Sequence, residues 1–134
     1  FHDKGHHLSS SDYAALEELR PILSQAYTLC DTEGARFLFV FAPTKFRVYK
    51  QFVDFDPQSQ PRYWVINDLP KELETMIHEV LPEAGFLDLT STFVEEALHQ
   101  PLLYFDYDTH WSPEGHRVAA TAIANFMAHL DKNN

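Results

Sequence analysis

The feature that most constrains this chain is Arg36-Phe37-Leu38-Phe39-Val40-Phe41-Ala42, an almost wholly apolar run of strand-forming residues stopped by Pro43. A strand with one face in water alternates polar and apolar side chains; a run without alternation predicts a strand buried on both faces, as in a parallel sheet. Parallel strands need crossover connections, and the flanking sequence supplies helices for them.

Upstream, Ser9, Ser10, Ser11 and Asp12 offer N-caps for a helix with apolar residues at Leu16, Leu19, Leu23, Ala26 and Cys30, and Gly34 is placed to stop it. Pro21 falls inside this pattern and predicts a kink or a split near Arg20. Downstream, residues 44–68 contain Pro57, Pro61 and scattered aromatics without a sustained period, which reads as a long loop with one short helical turn. A second helix is expected from Leu69, with Pro70 in its first turn and Leu73, Met76, Ile77 and Val80 on its apolar face, ending at Pro82 and Gly85. Phe86-Leu87-Asp88-Leu89 reads as a short strand. A brief helix follows from Thr90 or Ser91, and Leu102–Phe105 reads as a third extended segment. Ser112 and Pro113 then open a final helix that buries Ala119, Ala122, Ile123, Phe126 and Leu130. The order of elements predicts an α/β layer fold with a mainly parallel sheet.

The 134 residues fit a single domain, 1–134, in which 1–10 are expected to be a mobile lead-in. An apolar fraction of 45% is enough for a core. Ten basic against twenty acidic residues give a net charge of −10, which opposes binding to nucleic acid or anionic lipid when no basic cluster compensates. The longest apolar run is too short to span a bilayer, so no membrane insertion by this segment is expected. One cysteine, Cys30, excludes an intrachain disulfide and a multi-cysteine zinc site, and its place on the apolar helix face points to the core. The first residue is Phe1 rather than Met, which raises the expectation of a piece of a longer protein.

Chemistry concentrates in Tyr104-Phe105-Asp106-Tyr107-Asp108-Thr109-His110-Trp111-Ser112-Pro113-Glu114-Gly115-His116. A histidine can accept a proton from a nucleophile, and a carboxylate beside it can hold the imidazole in the required tautomer. Asp108 is the candidate acid and His110 the base. Ser112 is better explained as a helix cap than as a nucleophile, Trp111 as a packing residue, Gly115 as a close-packing position and His116 as structural. Ser9, Ser10, Ser11 and Ser91 read as caps, Ser24 as a helix residue and Ser59 as a loop residue. None sits on a glycine-flanked strand-to-helix turn of the kind a strained nucleophile needs.

The stretch from Asp108 to Ala120 resembles the C-terminal catalytic block of the SGNH (GDSL-type) hydrolases, in the D-x-H-W branch similar to alginate O-acetyltransferase-like proteins. Val40-Phe41-Ala42-Pro43-Thr44-Lys45 with Val48-Tyr49, and Phe86-Leu87-Asp88-Leu89-Thr90, resemble two earlier segments of the same proteins, so the likeness runs from about Ser11 to Leu130. It implies a three-layer, flavodoxin-like α/β/α fold with a mainly parallel sheet, present here as the C-terminal portion. The implied activity is cleavage or transfer of acyl groups, often acetyl esters of carbohydrates. Asp108 and His110 would occupy the triad acid and base positions.

The Gly-Asp-Ser nucleophile block and the Gly and Asn of the oxyanion hole have no counterpart here, and classical members space Asp and His by three rather than two, which leaves Asp106 as a second candidate for the acid. The serine is therefore expected outside this chain, which alone would be silent. Lys45, Tyr49 and Trp64 are the candidate substrate-binding residues, with Tyr63 as a further aromatic, for a small-molecule or carbohydrate ester. The remainder of a parent chain is the expected partner, no cofactor is expected, and the resemblance suggests an exported or periplasmic protein. Two other readings compete: a non-catalytic glycan-binding or interaction domain of the same fold, and a metal site built on His2, Asp3, His6 and His7.

Overall fold

The computed structural model describes residues 6–99 and 102–132. Its elements are α1 (Ser10–Thr32), β1 (Leu38–Phe41), α2 (Lys45–Tyr49), two single 3-10 turns (Lys50–Phe52 and Gln60–Tyr63), α3 (Leu69–Val80), β2 (Gly85–Asp88), α4 (Thr90–Ala97) and α5 (Pro113–Lys132). β1 and β2 form a two-stranded parallel sheet, bracketed by Gly85 N–H donating to the Phe37 carbonyl at 3.1 Å and Leu89 N–H to the Phe41 carbonyl at 3.2 Å. The α/β class and the parallel pairing agree with expectation at this coarser level. The chain divides into two compact units: residues 1–39 with 54–86, and residues 40–53 with 87–134.

In the first unit α1 packs on α3. Leu16 and Leu23, seven residues apart, are the buried positions of α1, and Leu73, Met76 and Ile77 those of the apolar face of α3, with Leu81, Ala84 and Phe86 completing the core. Ser9 caps α1 in a capping box with Asp12, and Gly34, at φ +66°, provides the left-handed residue that ends it. The His6 ring lies 2.9 Å from the Asp12 carboxylate, and the His6 backbone carbonyl accepts from Asn67. Pro21 does not split α1. Its ring removes one backbone bond, while the cap and the burial of Leu16 and Leu23 on either side keep the helix continuous.

In the second unit Val48 of α2, Leu89, Phe93 of α4, Leu103, Tyr104, and Val118 and Ala119 of α5 form one buried cluster. Tyr49, Leu87, Val94, Trp111 and Ala122 pack around it. α4 packs against both α2 and α5. Its first turn is capped from the preceding strand, because the Asp88 carboxylate accepts from both the backbone N–H and the hydroxyl of Thr90.

Several expectations are corrected. All four residues of β1 are half-buried rather than covered on both faces, since β1 has one paired neighbour among the described residues. The segment 44–68 contains α2 and two 3-10 turns, with Thr44 capping α2 by accepting the Arg47 N–H. Leu102–Phe105 is not a strand; Tyr104 makes one isolated antiparallel bridge to Trp111. Leu19, assigned to the buried face of α1, is exposed, and Cys30 is half-buried.

Candidate active site

The site lies in the second unit, on the short loop between Tyr104 and Trp111. The loop is closed at its base by the Tyr104–Trp111 bridge and by Phe105 N–H donating to the His110 carbonyl at 3.0 Å. Within it, Asp108 turns back on His110. One carboxylate oxygen accepts the His110 backbone N–H at 2.8 Å, and the other lies 3.3 Å from ring Nδ1. This contact favours a proton on Nδ1 and leaves Nε2 as the basic nitrogen. Both side chains are exposed, His110 at 83% and Asp108 at 51%. The backbone N–H of His110, its ring, and the charge of Lys45 together hold the Asp108 carboxyl below the ordinary aspartate range. Asp108 is therefore an anion at neutral pH. Asp106, the second candidate acid, is tied elsewhere, its backbone carbonyl accepting from Lys45.

Behind the loop the packing is tight. Phe93 lies against Tyr104 and Trp111, with ring centroids 5.9 and 5.1 Å apart, and Trp111 meets the His116 ring edge-on at 5.5 Å. The Ser112 side chain donates to the Leu102 carbonyl at 2.7 Å and accepts the Gly115 N–H at 3.2 Å, while its backbone N–H donates to Leu103. Buried and committed on both sides, this hydroxyl seats α5 rather than attacking a substrate. A Cβ on Gly115 would stand 2.1 Å from the Leu103 carbonyl oxygen, so the first turn of α5 approaches the chain as closely as glycine alone permits.

The three candidate substrate residues have different surroundings. Lys45 Nζ donates to the carbonyls of Phe105 (2.8 Å) and Asp106 (3.1 Å), beside the pair. The Tyr49 hydroxyl accepts the Leu103 N–H at 2.9 Å, and its ring meets Tyr104 edge-on. Trp64 belongs to the first unit, next to the 3-10 turn that holds the exposed Tyr63. Sequence reasoning missed Tyr104. It is buried and donates to the Pro43 carbonyl at 2.6 Å, and burial pushes its phenol well above the usual range. A tyrosine flanked by apolar residues just ahead of the motif was the available signal.

The family model described as SGNH hydrolase-like domain, acetyltransferase AlgX, matches residues 1–133. The chain belongs to that family. No curated protein and no solved structure matches it significantly. No serine is hydrogen-bonded to His110 among the described residues. Of the metal reading, His2 and Asp3 lie outside the described residues, and among those described no group of three or more His, Cys, Asp or Glu side chains is arranged to hold an ion. No helix among them is long and apolar enough to cross a membrane.

Proposed function

We propose that this chain supplies the general base, His110, and its orienting acid, Asp108, to a serine-type acyl-transfer site that acts on acetyl esters of carbohydrate. The observation that carries the reading is the double use of Asp108, on the backbone and on ring Nδ1 of one histidine, within an SGNH hydrolase-like sequence. The serine, from a segment beyond these residues, attacks the ester carbonyl as Nε2 of His110 takes its proton. The protonated ring, stabilised by Asp108, then returns the proton to the departing oxygen, and the acyl group passes to water or to a sugar hydroxyl. In this reading β1 and β2 are two strands of a larger flavodoxin-like sheet, and the chain forms one domain with the segment that bears the serine. Lys45 keeps one N–H for a substrate oxygen. Tyr49 and Trp64 are offered on the stacking chemistry of their rings, and an exported location on family likeness.

The test is acetyl-ester turnover by the full-length protein. His110→Ala and Asp108→Asn are each expected to lower kcat on the order of 10³-fold with little change in KM. Full turnover in His110→Ala rejects the assignment. A second reading, a glycan-binding domain without catalysis, draws on the exposure of the pair, because a carboxylate and a histidine in water gain little from their mutual attraction. Glycan binding by a full-length protein that turns over no acetyl ester would favour it.

A further inference from the structure

Four successive residues at the start of the histidine loop, Leu103 to Asp106, are held by the same short segment. The Tyr49 hydroxyl takes the Leu103 N–H, the Pro43 carbonyl takes the Tyr104 hydroxyl, and Lys45 Nζ spans the carbonyls of Phe105 and Asp106. All seven residues belong to the second unit. The first two anchors lie among buried or half-buried residues and act on the base of the loop. The third is different. Lys45 is a half-buried cation that reaches beyond the base and holds the backbone one and two residues before Tyr107, on the limb that leads into Asp108.

We infer that Lys45 is a positioning residue for the Asp108–His110 pair: its ammonium clamps the Phe105 and Asp106 carbonyls and thereby fixes the limb from which Asp108 reaches back to His110. Two carbonyls pointing the same way repel one another and would turn apart in water. A cation between them offsets that repulsion and gives the loop one preferred shape. The same charge lies close enough to favour the ionised form of Asp108, so one side chain supports both the backbone and the charge of the acid. Lysine suits this position because a compact ammonium on a long stem donates in several directions at once. The inference rests on the reading of Asp108 and His110 as acid and base, but the clamp itself is measured without turnover.

The experiment is NMR on the full-length protein as wild type, Lys45→Met and Lys45→Arg. In Lys45→Met the Phe105 amide, which donates to His110, is expected to exchange about tenfold faster, as a local opening that leaves core amides such as Phe93 protected. The ring nitrogens of His110 should lose the signature of a single tautomer and move toward that of a free imidazole, and Lys45→Arg should recover most of both effects. An unchanged His110 ring signature and Phe105 exchange rate in Lys45→Met overturn the inference. Should Lys45→Met fail to fold, the wild type still decides: an ammonium held by two carbonyls exchanges its protons more slowly than those of Lys71 and Lys132, and equal exchange overturns the clamp. A clamp that passes while His110→Ala in the full-length protein keeps full turnover leaves Lys45 shaping a loop that is not catalytic, which overturns the functional reading and not the geometry.

Discussion

At Gly115 the space available decides the residue. Every other amino acid brings a Cβ to within 2.1 Å of a backbone oxygen, that of Leu103, which cannot swing aside as a side chain would. Gly115→Ala is therefore expected to destabilise the protein by about 2–3 kcal/mol, although alanine is the better helix former, because overpacking against a fixed backbone outweighs the gain in propensity. Chemical denaturation gives the value; a neutral or stabilising substitution would mean that α5 can withdraw from Leu103. Gly115 was legible in sequence as a close-packing position, and Ser112 as a cap. The partner of each was not. The contact with Leu103 arises because the chain folds back through the Tyr104–Trp111 bridge, and no local pattern encodes that return.

Elements were legible where they were long and periodic. α3 begins at the expected Leu69 and buries Leu73, Met76 and Ile77, and α5 follows Ser112 as expected. The five-residue α2 was hidden in a presumed loop because one and a half turns cannot display a 3.6-residue period, although its cap, Thr44, was in plain view. α1 was misjudged in the other direction. Pro21 is a strong local signal, overridden by burial one and a half turns before it and half a turn after. The cost of that proline persists in the folded helix, since the Glu17 carbonyl lacks its usual donor. Pro21→Ala is accordingly expected to raise stability by about 1–3 kcal/mol and to shift the thermal midpoint upward. A lowered midpoint would show that the proline instead limits the unfolded chain.

For the whole molecule, acidity sets the response to pH. Asp12 is held down to about 2 by the hydroxyl and backbone N–H of Ser9 and by His6. Asp108 and Glu114 are lowered too, by the backbone N–H and ring of His110 and by Arg117 respectively. A carboxyl whose folded value lies below its unfolded value contributes stability that is complete above the unfolded value and is lost as pH falls through the folded one. For Asp12 that window runs from 3.8 down to about 2. Below its isoelectric point near 5.1 the chain is net positive, so each further proton adds repulsion and reinforces the loss in this window. Far-UV circular dichroism should find wild type losing helix across this window and Asp12→Asn changing less there, from a lower starting stability. Superimposable acid curves would remove Asp12 from the account. The α/β class and the pairing of Asp108 with His110 could be anticipated from the order of elements and the spacing of two. The half-exposed β1 and the hold of Lys45 on the loop could not, because both depend on which distant segments come to lie alongside.

The closed base of the histidine loop bears on how such a sequence can change over time. Tyr104 and Trp111 face each other, Phe105 is bonded to His110, and the Leu103 oxygen lies under Gly115, so the interval between 104 and 111 is fixed from both ends. Insertions and deletions are tolerated where a connection merely spans a gap, as between Val53 and Ser59, which carry no regular element. Here one added residue would break the pairing at the base or turn the imidazole away from its carboxylate. In this loop the fold constrains length more strictly than composition: Tyr107, wholly exposed at its tip, makes no packing demand, while the number of residues around it is set by the closed base.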